Sequence, residues 1–149
     1  MIYTKAAAAR ILGISPSSII KLTPARGSYA VSYKTGRNKK GCTFIGKKAF
    51  RQEFVDFRRA GAAKVKVYSH DGTWIATGST DDYEVDLFTE HQPICGCQDF
   101  HNQVEAGLPR QCCKHIYAVL NVFGHQSLTD WIDRVSVPHF CPVPVAAPF

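Results

Sequence analysis

"ICGCQDFHNQVEAGLPRQCCKHIYAVL", residues 94–120, holds four of the six cysteines of a 149-residue chain and ends in an apolar run. Cys95-Gly96-Cys97 sets two thiols on the same side of an extended segment, with a small residue between them that permits close backbone approach. Cys113-Lys114-His115 offers a second pair at the mouth of a helix, because Ile116, Val119, Leu120 and Phe123 repeat at helical spacing up to Gly124. Structural zinc sites are commonly assembled from two such local pairs brought together by folding. The stretch predicts a C-terminal half organised around one structural zinc ion.

Other readings of these residues explain less. Reduced, buried cysteines beside a helical histidine would be ordinary packing, but two tight pairs of metal-ligating residues ask for more. A disulfide between the adjacent Cys112 and Cys113 would be strained, and no CxxC redox motif is present. Four protein ligands would leave no open position for water, which argues against catalytic zinc. Three thiolates and a neutral imidazole around Zn²⁺ carry a net charge of about −1, which the positive end of a following helix favours.

A CxC pair, a spacer, then CxH running into the apolar helix "CKHIYAVL" resembles the SWIM-type zinc finger, and the preceding strands and "CQDF" fit that context. The resemblance spans roughly residues 65–123 and implies Cys95, Cys97, Cys113 and His115 as ligands. Cys112 is a departure from the pattern. It competes with Cys113 for the third position, which the CxH spacing gives to Cys113, and His101 within the spacer is a further competitor.

Upstream, "KVKVYS", "TWIAT" and "YEVDLF" are rich in strand formers and separated by turn-forming "HDG" and "GSTDD", so an antiparallel meander leads into the cysteines. Downstream, Ser127 and Asp130 have the spacing of a capping box for "LTDWIDRV". The finish, "PHFCPVPVAAPF", has four prolines in twelve residues, is expected to be extended or disordered, and excludes a helix. Cys42 and Cys141 read as plain thiols, and His70, His91, His125 and His139 as solvated turn or surface residues.

Charge is divided along the chain. Residues 1–66 carry 15 Lys and Arg against Glu53 and Asp56, a net of +13, whereas residues 67–149 carry three cations against ten acids, a net of −7. A polyanion would bind the first part. There, "TKAAAARIL" predicts a helix Lys5–Leu12 capped by Thr4 and ended by Gly13, and Ser15-Pro16 predicts a second short helix over Ser17–Leu22. "SYAVSY" and "CTFIG" flank "KTGRNKKG", which predicts a hairpin with a long basic tip carrying Lys34, Arg37, Lys39 and Lys40. In "KKAFRQEFVDFRRA", Phe50, Phe54 and Phe57 share one helical face that should be buried, bordered by Lys47, Arg51 and Arg58.

"AARILGIS" resembles the first helix and turn of excisionase and MerR-like helix-turn-helix modules through Ala8, Ala9, Leu12, Gly13 and Ser15. That resemblance implies a second helix presenting Ser17, Ser18 and Lys21 to a DNA groove, with the hairpin as a basic wing. A plain helical hairpin is the competing reading.

The sequence therefore predicts an α+β fold: a basic helix-turn-helix-like and wing region over 1–63, a SWIM-like zinc unit over 64–136 and a Pro-rich tail over 137–149. The expected function is non-catalytic nucleic-acid binding, with double-stranded DNA the first expectation and RNA left open. A protein-interaction adaptor in a nucleoprotein complex is the alternative, using the acidic strands or the tail with Phe140 and Phe149. No GxSxG, paired-carboxylate or glycine-rich phosphate motif points to an enzyme. Neither a secretory signal nor a membrane span is recognisable, so a cytoplasmic or nucleoid-associated protein is expected.

Overall fold

Thr4 opens helix α1 (Lys5–Leu12), its hydroxyl accepting from the Ala7 N–H at 3.1 Å, and Gly13 closes it in the left-handed conformation at φ 65°. Three successive alanines, Ala7 to Ala9, are buried and let the helix lie close against the rest of the N-terminal core. The computed structural model describes residues 2–37, 39–87 and 92–136. The proline-rich tail, with His139, Phe140, Cys141 and Phe149, lies outside the described residues, as does His91.

The predicted second helix is not formed. A single 3₁₀ turn, Pro16–Ser18, leads directly into strand β1 (Ile19–Ala25). The β-branched Ile19, Ile20 and Thr23 favour extended backbone, Pro24 blocks a helix from continuing, and pairing with the next strand supplies the hydrogen bonds. Ser17 and Ser18 therefore sit on the turn and Lys21 on a strand, and none is on a recognition helix.

Strands β2 (Ser28–Gly36) and β3 (Lys39–Gly46) complete an antiparallel three-stranded sheet in the order β1-β2-β3. Their pairing continues to Gly36↔Lys39, so the long loop expected at the basic tip is ladder almost to its end. Lys34, Lys39 and Lys40 stand on strands, and only Arg37 falls between them.

Helix α2 (Lys47–Ala62) links two hydrophobic cores. Phe50 is fully buried with Ala7–Ala9, Ile19, Val31 and Ile45, and Tyr3 and Tyr29 pack edge-on against its ring. Ala62 belongs to the second core. The predicted aromatic stripe is buried only at its start: Phe57 is 53% exposed, and the Arg10 and Arg58 guanidinia lie 3.9 and 3.4 Å from the Phe57 and Phe54 ring centres. The helix passes from one core to the other along its length, so its middle turns meet cations instead of a sheet.

The expected meander is present as β4 (Lys66–His70), β5 (Thr73–Thr77), β6 (Asp82–Asp86) and the short β7 (Ile94–Cys95), paired in that order. Asp71 and Gly72, both at positive φ, make the two-residue turn between β4 and β5. Helices α3 (Gln98–Glu105), α4 (Lys114–Val122) and α5 (Leu128–Ser136) complete the described chain. In α4 all six residues from His115 to Leu120 are buried, because the helix packs on β4–β7 and also meets α2 and α5. The N-cap half of the expected capping box is formed at α5, where the Asp130 N–H donates to Ser127 Oγ at 3.0 Å, and the Asp130 carboxylate accepts from the Gln126 N–H, one residue before Ser127, at 3.1 Å. The fold is α+β, with two small antiparallel sheets and five helices among the described residues.

Candidate metal centre

Each ligand candidate is held by a different structural device. Cys95 ends β7 and pairs with Val85 of β6, so the sheet fixes its height. Cys97 is the N-cap of α3, with its sulfur accepting from the Phe100 N–H at 3.4 Å. Cys113 is the N-cap of α4, and His115 lies in that helix's first turn. Helix α3 was not anticipated from the sequence, although Cys97 followed by Asp99 in the first turn and by Phe100 and Gln103 at helical spacing carries a start signal. Both helices direct positive N-terminal ends at the sulfurs. Gly96 is not there for space, since a Cβ at that position would meet nothing within 4 Å.

The three sulfurs and the nearest imidazole nitrogen all lie within 4.8 Å of one another, and the four residues are at most 3% exposed. His115 Nδ1 is 3.9 Å from both the Cys95 and the Cys113 sulfur. A zinc tetrahedron with ordinary bond lengths has edges of roughly 3.5–3.8 Å, so the donors need contract by no more than about 1 Å. The imidazole plane is fixed from outside. Tyr83 packs against it with the rings tilted by 34° and their centres 4.6 Å apart, and a Cβ on Gly78 would come within 3.2 Å of Nε2. With Nδ1 facing the sulfurs, Nε2 is buried against this turn without a hydrogen-bond partner among the described residues.

The thiols share their protons unequally. Cys97 is held well below the ordinary thiol value, chiefly by hydrogen bonds from Cys113 and Cys95 to its sulfur. Cys113 is pushed up by its hydrogen bonds to Cys95 and Cys97 and by burial. Cys95 is lowered by Cys113, but its bond to Cys97 and its burial outweigh this and push it up to about 12. Near neutral pH the protein groups alone thus provide one thiolate, and a cation held by all three must displace the other protons.

Cys112 faces away from the cluster. Burial pushes its thiol up to about 12, its sulfur is 4.0 Å from the Cys113 carbonyl oxygen, and it is no member of the four-residue group. His101 is exposed on α3, so it does not compete for the site. Unlike the solvated residue expected, His125 is only 12% exposed at its side chain and lies 3.6 Å from Asp130.

The Cys112 backbone carries the positioning. Gln103, fully buried, accepts from the Cys112 N–H at 3.0 Å and donates to the Cys112 carbonyl at 3.5 Å and to Asp99 at 3.3 Å. Asp99 in turn takes two hydrogen bonds from Arg58, at 2.9 and 2.5 Å. A chain of polar contacts thus runs from α2 through α3 to the residue preceding Cys113. Gln103→Leu would leave both Cys112 backbone groups unpaired in the core, and should cost about 2–3 kcal/mol of stability and weaken metal binding 10- to 100-fold. Denaturant titration and chelator competition would measure the two effects. An unchanged affinity would show that Gln103 serves packing alone.

The predicted nucleic-acid contacts are distributed unevenly. Lys21, Lys34, Arg37, Lys39, Lys40 and Arg51 are exposed; Lys47 opens α2 and is half-buried; Ser17 is exposed and Ser18 half-buried on the 3₁₀ turn. Arg58 is committed to Asp99, to the Phe54 carbonyl and to the Phe54 ring. Compared with known proteins, the chain matches no family model, no curated protein and no solved structure. No helix among the described residues is long and apolar enough to cross a membrane.

Proposed function

We propose that this protein is a non-catalytic nucleic-acid-binding protein whose C-terminal core is held by one structural zinc ion. The observation that carries the reading is charge placement: no acidic residue precedes Glu53, and the cations of the three-stranded sheet are exposed. Such a surface attracts phosphate whatever the sequence of the bases.

Zinc is the metal best suited to three thiolates and an imidazole in a closed tetrahedral set, and the similarity to SWIM-type fingers supports the same choice. When bound, the ion would cross-link β7 to the starts of α3 and α4. With all four positions filled by protein, it shapes the fold and offers no site to water. The expectation of duplex DNA rested on a recognition helix, and β1 replaces that helix. Contact with the phosphate backbone is the part of the expectation that stands on exposed residues.

Reversing charge tests the reading. Lys39→Glu combined with Lys40→Glu should lower affinity for a mixed-sequence oligonucleotide at least tenfold at about 100 mM salt, without changing the circular-dichroism spectrum. Intact binding would remove the basic sheet from the function. The exposed acids Asp82 and Glu84 on β6 favour the second reading, a protein-interaction adaptor, in which a basic partner docks on the other sheet. That reading gains if their charge reversal abolishes assembly while oligonucleotide binding persists.

A further inference from the structure

One face of the three-stranded sheet packs on the N-terminal core, and the other has no protein layer over it among the described residues. Paired residues on neighbouring antiparallel strands share a face, so the register identifies the open side. Thr23, Ala30 and Phe44 form one row there, Lys21, Ser32 and Cys42 the next, and Lys34 with Lys40 the third. The buried Val31 and Ile45 alternate with these positions and face the core.

Phe44 is 68% exposed, the highest value among the large hydrophobic residues described. Phe50, six positions later, is fully buried, so the first core has an aromatic anchor without Phe44. The neighbours of Phe44 along its row are small, which leaves its ring face accessible from above the sheet. Lys34 and Lys40 stand directly opposite each other, an arrangement of like charges that weakens a sheet unless an anion lies between them. No acid occurs anywhere in the sheet to offset them.

An open aromatic ring among small side chains, with cations in the next two rows about 7 and 14 Å along the strands, is suited to a flexible chain of bases and phosphates. A duplex keeps its bases stacked inside and gives an exposed ring nothing to stack on. We propose that the open face of this sheet binds single-stranded nucleic acid, with Phe44 stacking on a base and Lys21, Lys34 and Lys40 holding the phosphates. The inference rests on the nucleic-acid reading above and specifies its surface and its ligand.

The experiment uses the full chain with zinc and labelled oligothymidylate and oligouridylate of about 12 nucleotides, within the span of a single-strand site, beside a duplex of the same length. The single strands should bind more tightly than the duplex. Phe44→Ala should weaken them roughly tenfold with little effect on the duplex, and Phe44→Trp should retain binding. The relative affinities of the two single strands separate DNA from RNA as the source of the ligand. As a readout needing no variant, Cys42 is an exposed thiol in the row beside Phe44. Peptide-resolved alkylation of Cys42 should slow when oligothymidylate or oligouridylate is bound.

Preference for duplex, or unchanged single-strand affinity in Phe44→Ala with Cys42 still reactive, would overturn this inference and leave general nucleic-acid binding in place. Failure of the wild-type chain to bind any of the three probes would overturn both.

Discussion

Removing the metal should unfold the C-terminal core and leave much of the N-terminal sheet standing. Cys95, Cys97 and Cys113 are themselves core residues, packed with Val85, Leu87, Phe100, Ile116, Val119, Leu120 and Trp131. Structural zinc contributes on the order of 10 kcal/mol, as much as the whole net stability of a typical domain. Without it, this core would have to bury three thiols and an imidazole lacking a common partner. The first core contains none of the ligands. A strong chelator, or Cys113→Ser, should therefore abolish amide-exchange protection in β4–β7, α3 and α4, shift Trp131 emission to the red, and spare β1–β3. Cys112→Ser should keep one zinc per chain. Persisting protection of β4–β7 in metal-free protein would show that apolar packing alone holds the core.

The same site fixes a pH dependence. Cys97 is the low thiol, whereas Cys95 and Cys113 are raised and remain protonated near neutral pH. The metal-bound state needs all three as thiolates, so binding depresses their values and its contribution is lost as pH falls. About two protons should be released per zinc bound, and affinity should rise about 100-fold per pH unit while those thiols are protonated. Calorimetry in buffers of different ionisation enthalpy counts the protons directly.

The parts of the fold that the sequence made legible are those where local chemistry and burial agree. Thr4, Gly13 and the alanines between them give α1 within its observed bounds, because cap, propensity and exit signal coincide. Cys113 and His115 were legible for the same reason: an apolar helix and a metal-ligand spacing share one register. The stretch from Ser15 to Leu22 was misread because Ser-Pro is a strong helix start, whereas the pairing of Ile19–Ala25 with Ser28–Tyr33 is a tertiary fact. Gln103 could not be singled out, because its role depends on α3 bringing it beside a backbone nine residues away. Phe44 read as one more strand former. Only the register shows that it faces away from the core.

Raising salt from 50 to 200 mM should weaken oligonucleotide binding by two orders of magnitude or more. Each phosphate neutralised by a cation releases counterions, so the log-log slope reports how many contacts are made. Arg58 drops out of the count because Asp99 already holds its guanidinium. The exposed cations of the three-stranded sheet and its tip, Lys21, Lys34, Arg37, Lys39 and Lys40, leave about five contacts, for a slope near −3.5 on a single strand or −4.5 on a duplex. The corresponding losses are roughly 130-fold and 500-fold. On the same single strand, Lys39→Glu with Lys40→Glu should flatten the slope by about 1.4, since two of the five contacts are gone. A slope near zero would mean that apolar contact, not charge, holds the ligand. A steep slope unchanged by the double variant would place the contacts away from β3.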